Sequence, residues 1–282
     1  MKLLRFGPKG HEKPGALDAG GTIRDLSGVA ADFAGEGVSI AALENLKGID
    51  LSTLPAVPAG TRIGSCVASV PNFFCVGLNY ARHAAETGAT PPTEPILFAK
   101  ATSALSGPYD DVIIPKGSTK PDWEAELGIV IGATAEHVSE ADALSVVSGY
   151  CVINDVSERH WQAERGGTWM KGKSAPTFGP TGPWIVTKDE IPDPQALDIW
   201  LELSGEKVQN SNTSDMIFSV KEIVAYMSSL MTLQPGDIIA TGTPEGVGLG
   251  MKPPRWLKPG DVMKVGVTGL GVQEQKVVAY PG

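Results

Sequence analysis

The sequence predicts a β-rich α+β fold, and three observations support this fold class. First, 34 glycines and 22 prolines are scattered along the 282 residues, which indicates many turns and short elements. Second, apolar runs typical of strands outnumber helical patterns. Third, strands and helices do not alternate as a regular βαβ succession requires. With 42% apolar and 20% charged residues, the chain has the ordinary composition of a globular protein with a sizeable core.

The first 60 residues predict a small N-terminal α+β domain. KLLRF indicates a strand, GALDAGGTIRDL a hairpin and IAALENLK an amphipathic helix. The stretch LPAVPAG (residues 54–60) contains two prolines and a glycine and marks the joint. We therefore expect two domains, residues 1–60 and residues 61–282.

The remaining residues predict nine strands and four helices. Apolar runs bounded by turn residues indicate strands at 72–78, 95–100, 124–132, 149–155, 182–187, 198–205, 237–242, 261–267 and 273–278. Helices are expected at 80–87, 139–147, 157–165 and 219–231. LQPGDII and LKPGDVM are alike, but each is a turn followed by a strand, so we recognise no true repeat.

The charge and the cysteines exclude several classes of protein. The net charge of −9 comes from 23 basic and 32 acidic residues without a basic block, which argues against nucleic-acid and anionic-membrane partners. No run approaches 18 apolar residues, and the first residues lack a hydrophobic signal region, so we expect no membrane span. Cys66, Cys75 and Cys151 have no CxxC spacing. We expect buried, reduced thiols in a cytoplasmic protein, rather than disulfides or a zinc site.

Two glutamates interrupt the apolar strand in KPDWEAELGIVIG (residues 120–132). The odd positions from Trp123 to Ile131 are all apolar, and side chains alternate between the two faces of a strand. Glu124 and Glu126 therefore project side by side from the other face, where their charges repel. A solvated strand face is the ordinary explanation of such a pair, and a bound cation is the alternative.

Asp155 ends the next apolar strand, in GYCVINDVSERHWQ. An aspartate at this point can simply cap the following helix. With Glu124 and Glu126, however, it makes a set of three carboxylates without a thiol or a histidine cluster, which favours Mg²⁺, Mn²⁺ or Ca²⁺ over Zn²⁺. A cation would also relieve the repulsion between the two glutamates.

His83 and Glu86 lie three residues apart on the short helix expected in GLNYARHAAETG, so they share a face. A carboxylate beside an imidazole raises its basicity and fixes its tautomer, as in a general base that activates water. An exposed pair on a helix surface is the alternative. The apolar strand before the helix and the sharp Gly–Leu–Asn turn favour the functional interpretation.

Cationic residues follow Asp155 closely. Arg159 and Gln162 share one face of the expected helix, and the Gly/Pro-rich stretch TWMKGKSAPTFGPTGPW carries Lys171 and Lys173. Such residues are usually solvated surface charges. Next to a metal-ligand aspartate, they would suit an anionic substrate or a developing oxyanion.

A glycine-rich turn in IATGTPEGVG carries Thr241 and Thr243 directly after a strand. Their hydroxyls and the backbone N–H groups could hold an anion, or the stretch is ordinary turn chemistry. It lacks the lysine of a P-loop, which excludes a nucleotide site of that kind.

Seven motifs together resemble the fumarylacetoacetate hydrolase family. The resemblance covers roughly residues 70–280, and the motifs occur in the family's order. They are GLNYARHAAE, PILFAK, DWEAELGIVIG, GYCVINDVSERHWQ, KGKSAPTFGPTGPW, QPGDIIATGTPEGVG and LKPGDVMKV. The resemblance implies a mixed β-sandwich roll, a homodimer, and in many members a small N-terminal domain.

The same resemblance implies the roles of individual residues. It implies that Glu124, Glu126 and Asp155 hold Mg²⁺ or Mn²⁺, with Ca²⁺ as a substitute. It implies that His83 and Glu86 form a water-activating pair and that Lys173 stabilises an enolate. It also implies substrate contacts at Arg159, Gln162, Thr243 and Lys100. His160 and Pro176 stand where many members carry aspartate. Neither position is an expected ligand, so these departures concern the substrate.

The implied reaction is hydrolytic cleavage of a C–C bond in a β-diketo acid, with release of pyruvate. Within the family the sequence is most similar to hydrolases of 2,4-diketo-3-deoxy sugar acids, and few large apolar residues interleave the motifs, which favours a polar substrate chain. Elimination of urea from ureidoglycolate, decarboxylation of a β-keto acid, and metal-dependent binding of a small acid without turnover are the alternatives. His83 and Glu86 argue against the last of these.

Overall fold

The computed structural model describes residues 1–282 and consists of two large β-sheets, a two-stranded sheet formed by Pro121–Asp122 and Ser157–Glu158, and short helices. The strands are β1 (Lys2–Phe6), β2 (Lys13–Leu17), β3 (Ile23–Asp25), β4 (Phe73–Gly77), β5 (Ile96–Lys100), β6 (Leu105–Ser106), β7 (Val112–Ile114), β8 (Pro121–Asp122), β9 (Ala125–Ile131), β10 (Val147–Asn154), β11 (Ser157–Glu158), β12 (Gly179–Thr187), β13 (Asp198–Leu203), β14 (Glu206–Asn212), β15 (Ile238–Ala240), β16 (Val262–Val267) and β17 (Gly271–Ala279). The helices are α1 (Ile40–Leu46), α2 (Ala81–Thr87), α3 (Arg159–Ala163), α4 (Met170–Lys173) and α5 (Val220–Leu230).

The larger sheet has ten strands in the order β3-β2-β1-β12-β10-β9-β15-β4-β5, with β6 added beside β12. Most neighbours are antiparallel, whereas β15 and β4 run parallel. The smaller sheet has five strands in the order β14-β13-β16-β17-β7. This mixture of parallel and antiparallel pairs with few helices confirms the predicted β-rich α+β fold.

The alternation in β9 determines how the two sheets pack. The odd residues of this strand, such as Leu127 and Ile129, share one buried cluster with Leu201 and Val265 of the smaller sheet. Val130, on the opposite face, belongs to a second cluster that includes residues of the N-terminal segment. Strand β9 is therefore buried on both faces, as in the middle of a layered core.

The N-terminal segment continues the larger sheet. Strand β1 pairs with β12, while Phe33 and Leu43 contribute to the cluster that also contains Val130. Arg62 joins the segment to the remainder of the chain, because its guanidinium contacts Glu12 Oε1 at 2.7 Å and Asp110 Oδ2 at 2.6 Å. The division at residue 60 stays a prediction.

The predicted helix at 139–147 is wrong. A single 3-10 turn spans Ala143–Val146, and β10 begins at Val147, because this residue pairs with Ile131 in the sheet. Strand β14 was not predicted, since its sequence EKVQNSN is polar and the strand lies at the sheet edge. The segment 157–165 begins as strand β11 and becomes helical only at Arg159.

Cys66, Cys75 and Cys151 are all buried and free, as the sequence predicts for these three side chains. The longest helix, α5, has 11 residues, and none of the helices has the length and apolar character needed to cross a bilayer.

Candidate active site

The pairing of β9 with β10 brings the three predicted carboxylates together. Ile153 lies opposite Glu126 in this antiparallel pair, so the end of β10 meets the start of β9. The Asp155 amide then donates to the Glu124 carbonyl at 2.9 Å. The carboxylate oxygens of Glu124, Glu126 and Asp155 lie within 4.8 Å of one another, and all three side chains are buried. Burial excludes the solvated strand face as the explanation of the glutamate pair.

Two of these carboxylates are matched by buried cations. Lys173 Nζ contacts Glu124 Oε2 and Asp155 Oδ2, each at 2.6 Å, and Arg159 Nη1 contacts Glu124 Oε1 at 2.7 Å. Burial raises the pKa of Glu124, but the charges of Lys173 and Arg159 outweigh it and hold this pKa well below its ordinary value. The pKa of Lys173 lies above its ordinary value, because Asp155 and Glu124 overcome the effect of its burial. Glu124 is therefore ionised at neutral pH.

Glu126 differs from the other two carboxylates because no cationic side chain forms an ion pair with it. Its Oε2 accepts a hydrogen bond from the Gly242 amide at 2.8 Å, and 1% of the residue is exposed. Burial raises the pKa of Glu126 well above its ordinary value, and the neighbouring charges of Asp155 and Glu124 add to this effect. A cation from outside the chain would remove this penalty.

The donor set fits a hard divalent cation. It consists of oxygen atoms alone, and three carboxylates converge in a buried place where their mutual repulsion favours a positive charge. Burial raises the pKa of Cys75 well above its ordinary value, and a hydrogen bond with Cys66 together with burial does the same for the pKa of Cys151. Neither residue is therefore a thiolate ligand. The arrangement therefore supports a divalent metal of the Mg²⁺ or Mn²⁺ type, without distinguishing the two.

Helix α2 places His83 beside the carboxylates. Leu78 has a φ of 52° at the predicted sharp turn, and the chain then enters the helix that carries His83 and Glu86. His83 Nδ1 lies 3.3 Å from Glu86 Oε2, and Glu86 Oε1 accepts from the Gly246 amide at 3.0 Å. A Cβ atom on Gly250 would lie 2.2 Å from Glu86 Cδ, so the loop packs tightly against this carboxylate. His83 is buried, which excludes an exposed surface pair.

A cavity of about 240 Å³ joins these groups. Seven of the ten predicted site residues line it, namely His83, Glu124, Glu126, Arg159, Gln162, Lys173 and Thr243. Glu86 lies behind His83, and Asp155 lies behind Lys173. The roles predicted for these residues are taken up as proposals below.

Lys100 occupies a different place from the expected one. It ends β5, and its ammonium is bonded to Asp155 and to the Val156 carbonyl, the latter at 3.1 Å. Its side chain is fully buried and does not line the cavity. With its donors directed at Asp155 and Val156, Lys100 holds Asp155 in place and has no contact with the cavity through which to meet a substrate.

The hydroxyls of Thr241 and Thr243 are both used within the fold. Thr241 Oγ1 donates to the Leu127 carbonyl and Thr243 Oγ1 to the Ala125 carbonyl, each at 2.9 Å. Thr243 also accepts a hydrogen bond from Gln209 at 2.9 Å. The two threonines therefore fasten the glycine-rich loop to β9, and only Thr243 reaches the cavity.

Asp122 is a site-forming residue that the sequence patterns did not indicate. Its fully buried carboxylate accepts from Arg159 Nε at 2.8 Å and from the amides of Gly248 and Leu249 at 2.7 and 3.0 Å. It thus orients the guanidinium beside Glu124 and anchors the loop after β15. Its partners lie 37 to 127 positions away along the chain, so no local pattern could have revealed them.

The cavity lining contains the carboxylates with their cationic partners and, besides these, a set of apolar side chains, which we call the outer half. Phe98 and Trp169 form one wall, and Leu78, Ala89 and Leu249 complete it. The expectation of a polar substrate chain rested on the scarcity of large apolar residues between the motifs, whereas the cavity lining includes the aromatic side chains of Phe98 and Trp169. The identity of the substrate chain stays a matter for proposal. Phe98 lies within the motif PILFAK on β5, and Trp169 lies in the turn before α4, in the stretch between two of the motifs.

A β-rich fold in which three buried carboxylates converge beside a cavity lined by His83, with Glu86 behind the histidine, is the architecture of an enzyme with a metal site. Residues 72–278 match the family described as fumarylacetoacetate (FAA) hydrolase, C-terminal. The chain belongs to the fumarylacetoacetate hydrolase family.

Known relatives agree with this assignment. A Burkholderia lata protein named "Putative hydrolase" is 59% identical over 276 residues, 98% of each chain. A fumarylacetoacetate hydrolase from Exiguobacterium antarcticum has a TM-score of 0.85 at 35% identity, over 99% of this chain and 100% of the other. A maleylpyruvate hydrolase from a Sphingobium species, solved with manganese(II) and pyruvate, has a TM-score of 0.82 at 31% identity over 100% of both chains. These similarities support an enzyme of hydrolase type.

Proposed function

We propose that this protein is a metal-dependent hydrolase that cleaves a C–C bond of a β-diketo acid and releases pyruvate. The observation that carries the proposal is the meeting of His83 with Glu124 and Glu126 in one cavity. A general base and a set of oxygen ligands are the two components that this hydrolysis needs. Acylpyruvates and 2,4-diketo-3-deoxy sugar acids are the candidate substrates.

Glu124, Glu126 and Asp155 would hold Mg²⁺ or Mn²⁺. When bound, the cation would supply Lewis-acid polarisation of the substrate's oxygen atoms. The ammonium groups of Lys100 and Lys173 both contact Asp155 and fix the direction of its carboxylate, which prepares it as a ligand. The solved relative with manganese and pyruvate makes a metal site of this kind and a pyruvate product reasonable for this chain.

His83 is the proposed general base. Its Nδ1 lies 3.3 Å from Glu86 Oε2. With the proton on Nδ1 donated to this carboxylate, Nε2 would be the ring nitrogen that takes a proton from water. The resulting hydroxide adds to the C4 carbonyl of the substrate. The C3–C4 bond then breaks, the acyl part leaves as a carboxylic acid, and the electron pair remains on the pyruvate part as an enolate. His83 then returns its proton to C3, which converts the enolate into pyruvate and completes the reaction.

Lys173 and Arg159 are the proposed partners of the anionic groups. Both line the cavity, and Arg159 Nη2 is buried without a hydrogen-bond partner in the protein. An unused guanidinium N–H of this kind suits the substrate carboxylate. Lys173 is placed to meet enolate charge as it develops, together with Gln162.

A spectrophotometric assay tests the proposal. The purified protein is incubated with Mg²⁺ and with one of four kinds of substrate: an acylpyruvate, a 2,4-diketo-3-deoxy acid, oxaloacetate or ureidoglycolate. Pyruvate is detected with lactate dehydrogenase. The pyruvate that oxaloacetate forms by decarboxylation without the enzyme is subtracted. We expect pyruvate from at least one diketo acid, with loss of activity in EDTA and recovery on addition of Mg²⁺ or Mn²⁺. Glyoxylate and urea from ureidoglycolate, without pyruvate from any diketo acid, would instead identify a lyase.

A further inference from the structure

We propose that the outer half of the cavity selects an uncharged, apolar acyl group. The preferred substrates would then be monocarboxylic acylpyruvates with an alkyl or alkenyl chain, in preference to dicarboxylic or polyhydroxylated diketo acids. This inference rests on the proposed hydrolase function and specifies its substrate class.

The aromatic wall is built by close packing. A Cβ atom on Gly77 would lie 2.2 Å from Trp169 Cζ3, so only glycine lets the indole lie directly on β4. The rings of Trp169 and Phe98 meet edge to face, with centroids 5.2 Å apart and planes at 65°. Because both rings are held by their neighbours, the wall is a preformed apolar surface.

This wall begins beside the reaction centre. Lys173 Nζ lies 5.1 Å from the centroid of the Phe98 ring and 2.6 Å from Glu124 Oε2. A substrate whose pyruvate part meets Lys173 therefore has its acyl substituent beside Phe98 and Trp169. The chemistry of this substituent is what the wall can distinguish.

The cavity offers no free cation to a second carboxylate. Its cationic lining residues are Arg159 and Lys173, and both pair with Glu124 at the metal end. The nearby Arg82 is exposed, but Asp215 and Glu245 lie 3.8 and 3.5 Å from its guanidinium. A distal carboxylate would thus lose water against apolar side chains without gaining a partner.

Three of the polar atoms in the lining are already hydrogen-bonded within the protein, which makes them poor partners for a polyhydroxylated chain. Thr87 Oγ1 donates to the carbonyls of His83 and Ala84, and Thr243 Oγ1 is bonded to Ala125. Gln162 Oε1 accepts from Arg159. Hydroxyls that enter the outer half would lose hydrogen bonds to water, which disfavours them relative to CH₂ groups.

The first test compares kcat/KM among substrates. The set contains 2,4-dioxopentanoate, homologues with longer alkyl chains, maleylpyruvate and a 2,4-diketo-3-deoxy sugar acid. We expect kcat/KM to rise about three- to four-fold for each of the first added methylenes, the gain from burying one CH₂ group. The dicarboxylic and polyhydroxylated acids should be at least ten-fold poorer than the best alkyl substrate. If a dicarboxylic acid or a sugar acid has the highest kcat/KM, the inferred preference for an apolar acyl group is wrong, while the proposed hydrolase function is retained. If no substrate yields pyruvate, both the preference and the hydrolase function are wrong.

Two variants test the wall directly. Trp169→Ala should raise KM for the longer homologues about ten-fold or more and remove the chain-length effect, whereas Trp200→Ala, on the smaller sheet and away from the cavity, should not change this effect. Leu249→Arg, at a half-exposed position on the rim, should improve maleylpyruvate relative to the alkyl substrates. An unchanged order of substrates in both Trp169→Ala and Leu249→Arg, with folding verified by circular dichroism, contradicts the assigned role of the wall.

Discussion

The ammonium of Lys173 lies 2.6 Å from Oε2 of Glu124, and both side chains are buried. The same ammonium contacts Asp155, so one lysine joins two of the three carboxylates and also faces the cavity. We expect Lys173→Met to lower kcat by roughly 10²–10³-fold, with a smaller change in KM, because enolate charge develops in the transition state. Steady-state kinetics measure this split.

Lys171→Met is the matched control, because Lys171 lies on the same helix α4 but is exposed and bonded to the Arg165 carbonyl. This variant should retain full activity. A Lys173→Met enzyme with kcat close to that of the wild type would show that the lysine serves only to neutralise Glu124.

Glu126→Gln should weaken metal binding without lowering the stability of the metal-free protein. Without metal, the variant should have an unchanged or higher Tm than the wild type, because a buried carboxylate without an ion pair is removed. With Mn²⁺, the wild type should gain more Tm than the variant, since a ligand stabilises the state that binds it. Calorimetric titration and thermal melts measure the two effects.

Glu124→Gln provides the comparison, because it removes the partner of Lys173 and Arg159 and should lower the Tm even without metal. It should also weaken metal binding and activity together, as should Asp155→Asn. Wild-type Mn²⁺ affinity in Glu126→Gln and Glu124→Gln would refute the ligand assignment.

His83→Ala should separate the base from the metal site. We expect kcat to fall roughly 10²–10⁴-fold, the usual effect of losing a general base, while the calorimetric affinity for Mn²⁺ is retained. Glu86→Gln should have a smaller effect, since the amide can still accept from Gly246 but no longer favours the imidazolium. The exposed His11 supplies a control, His11→Ala, without effect. Turnover of His83→Ala within a few-fold of the wild type would remove His83 from the chemistry.

Arg62 should make stability depend on acid pH. Burial raises the pKa of Asp110, but the hydrogen-bonded Arg62 guanidinium outweighs it, so the folded pKa lies below the usual 3.8. The pKa of Glu12 is likewise below its usual 4.5, because the contacts with Arg62 exceed the effect of burial. A lowered folded pKa contributes stability that is present above the unfolded pKa and is lost as pH falls through the folded value.

The free energy of unfolding of Arg62→Met should therefore fall below that of the wild type above about pH 5, and the two should converge as the pH drops below 3.8. Urea denaturation in EDTA-containing buffer measures this difference without a contribution from metal. A difference that stays constant from pH 7 to pH 3 would mean that Arg62 acts through packing instead of through its ion pairs.

The paired glutamates could be predicted because a strand has a period of two, which places Glu124 and Glu126 on one face. Their closeness to Asp155 depends on the register of β9 against β10. This register is a non-local property that periodicity cannot supply. The chemistry of a hard cation suggested the grouping and the family resemblance supported it, and the converging carboxylates agree with both.

Three other features could not be predicted from local sequence patterns, because each depends on contacts between residues far apart in the chain. Asp122 stands among the residues before β9, and its importance comes from amides more than 120 positions away. The apolar wall depends on Gly77 meeting Trp169, a contact between β4 and the turn before α4. The helix expected at 139–147 gave way to sheet pairing at Val147, where tertiary contacts override local preference.

The fate of water tests hydrolytic C–C cleavage most directly. An acylpyruvate is converted in H₂¹⁸O, and mass spectrometry determines the label in the carboxylic acid released from the acyl part, with unreacted substrate measured to correct for carbonyl exchange. We predict that each molecule of this acid gains one ¹⁸O atom from the water activated by His83. Release of the acyl part without ¹⁸O above the exchange correction, or products that do not include pyruvate and an acid, would contradict hydrolysis at this site.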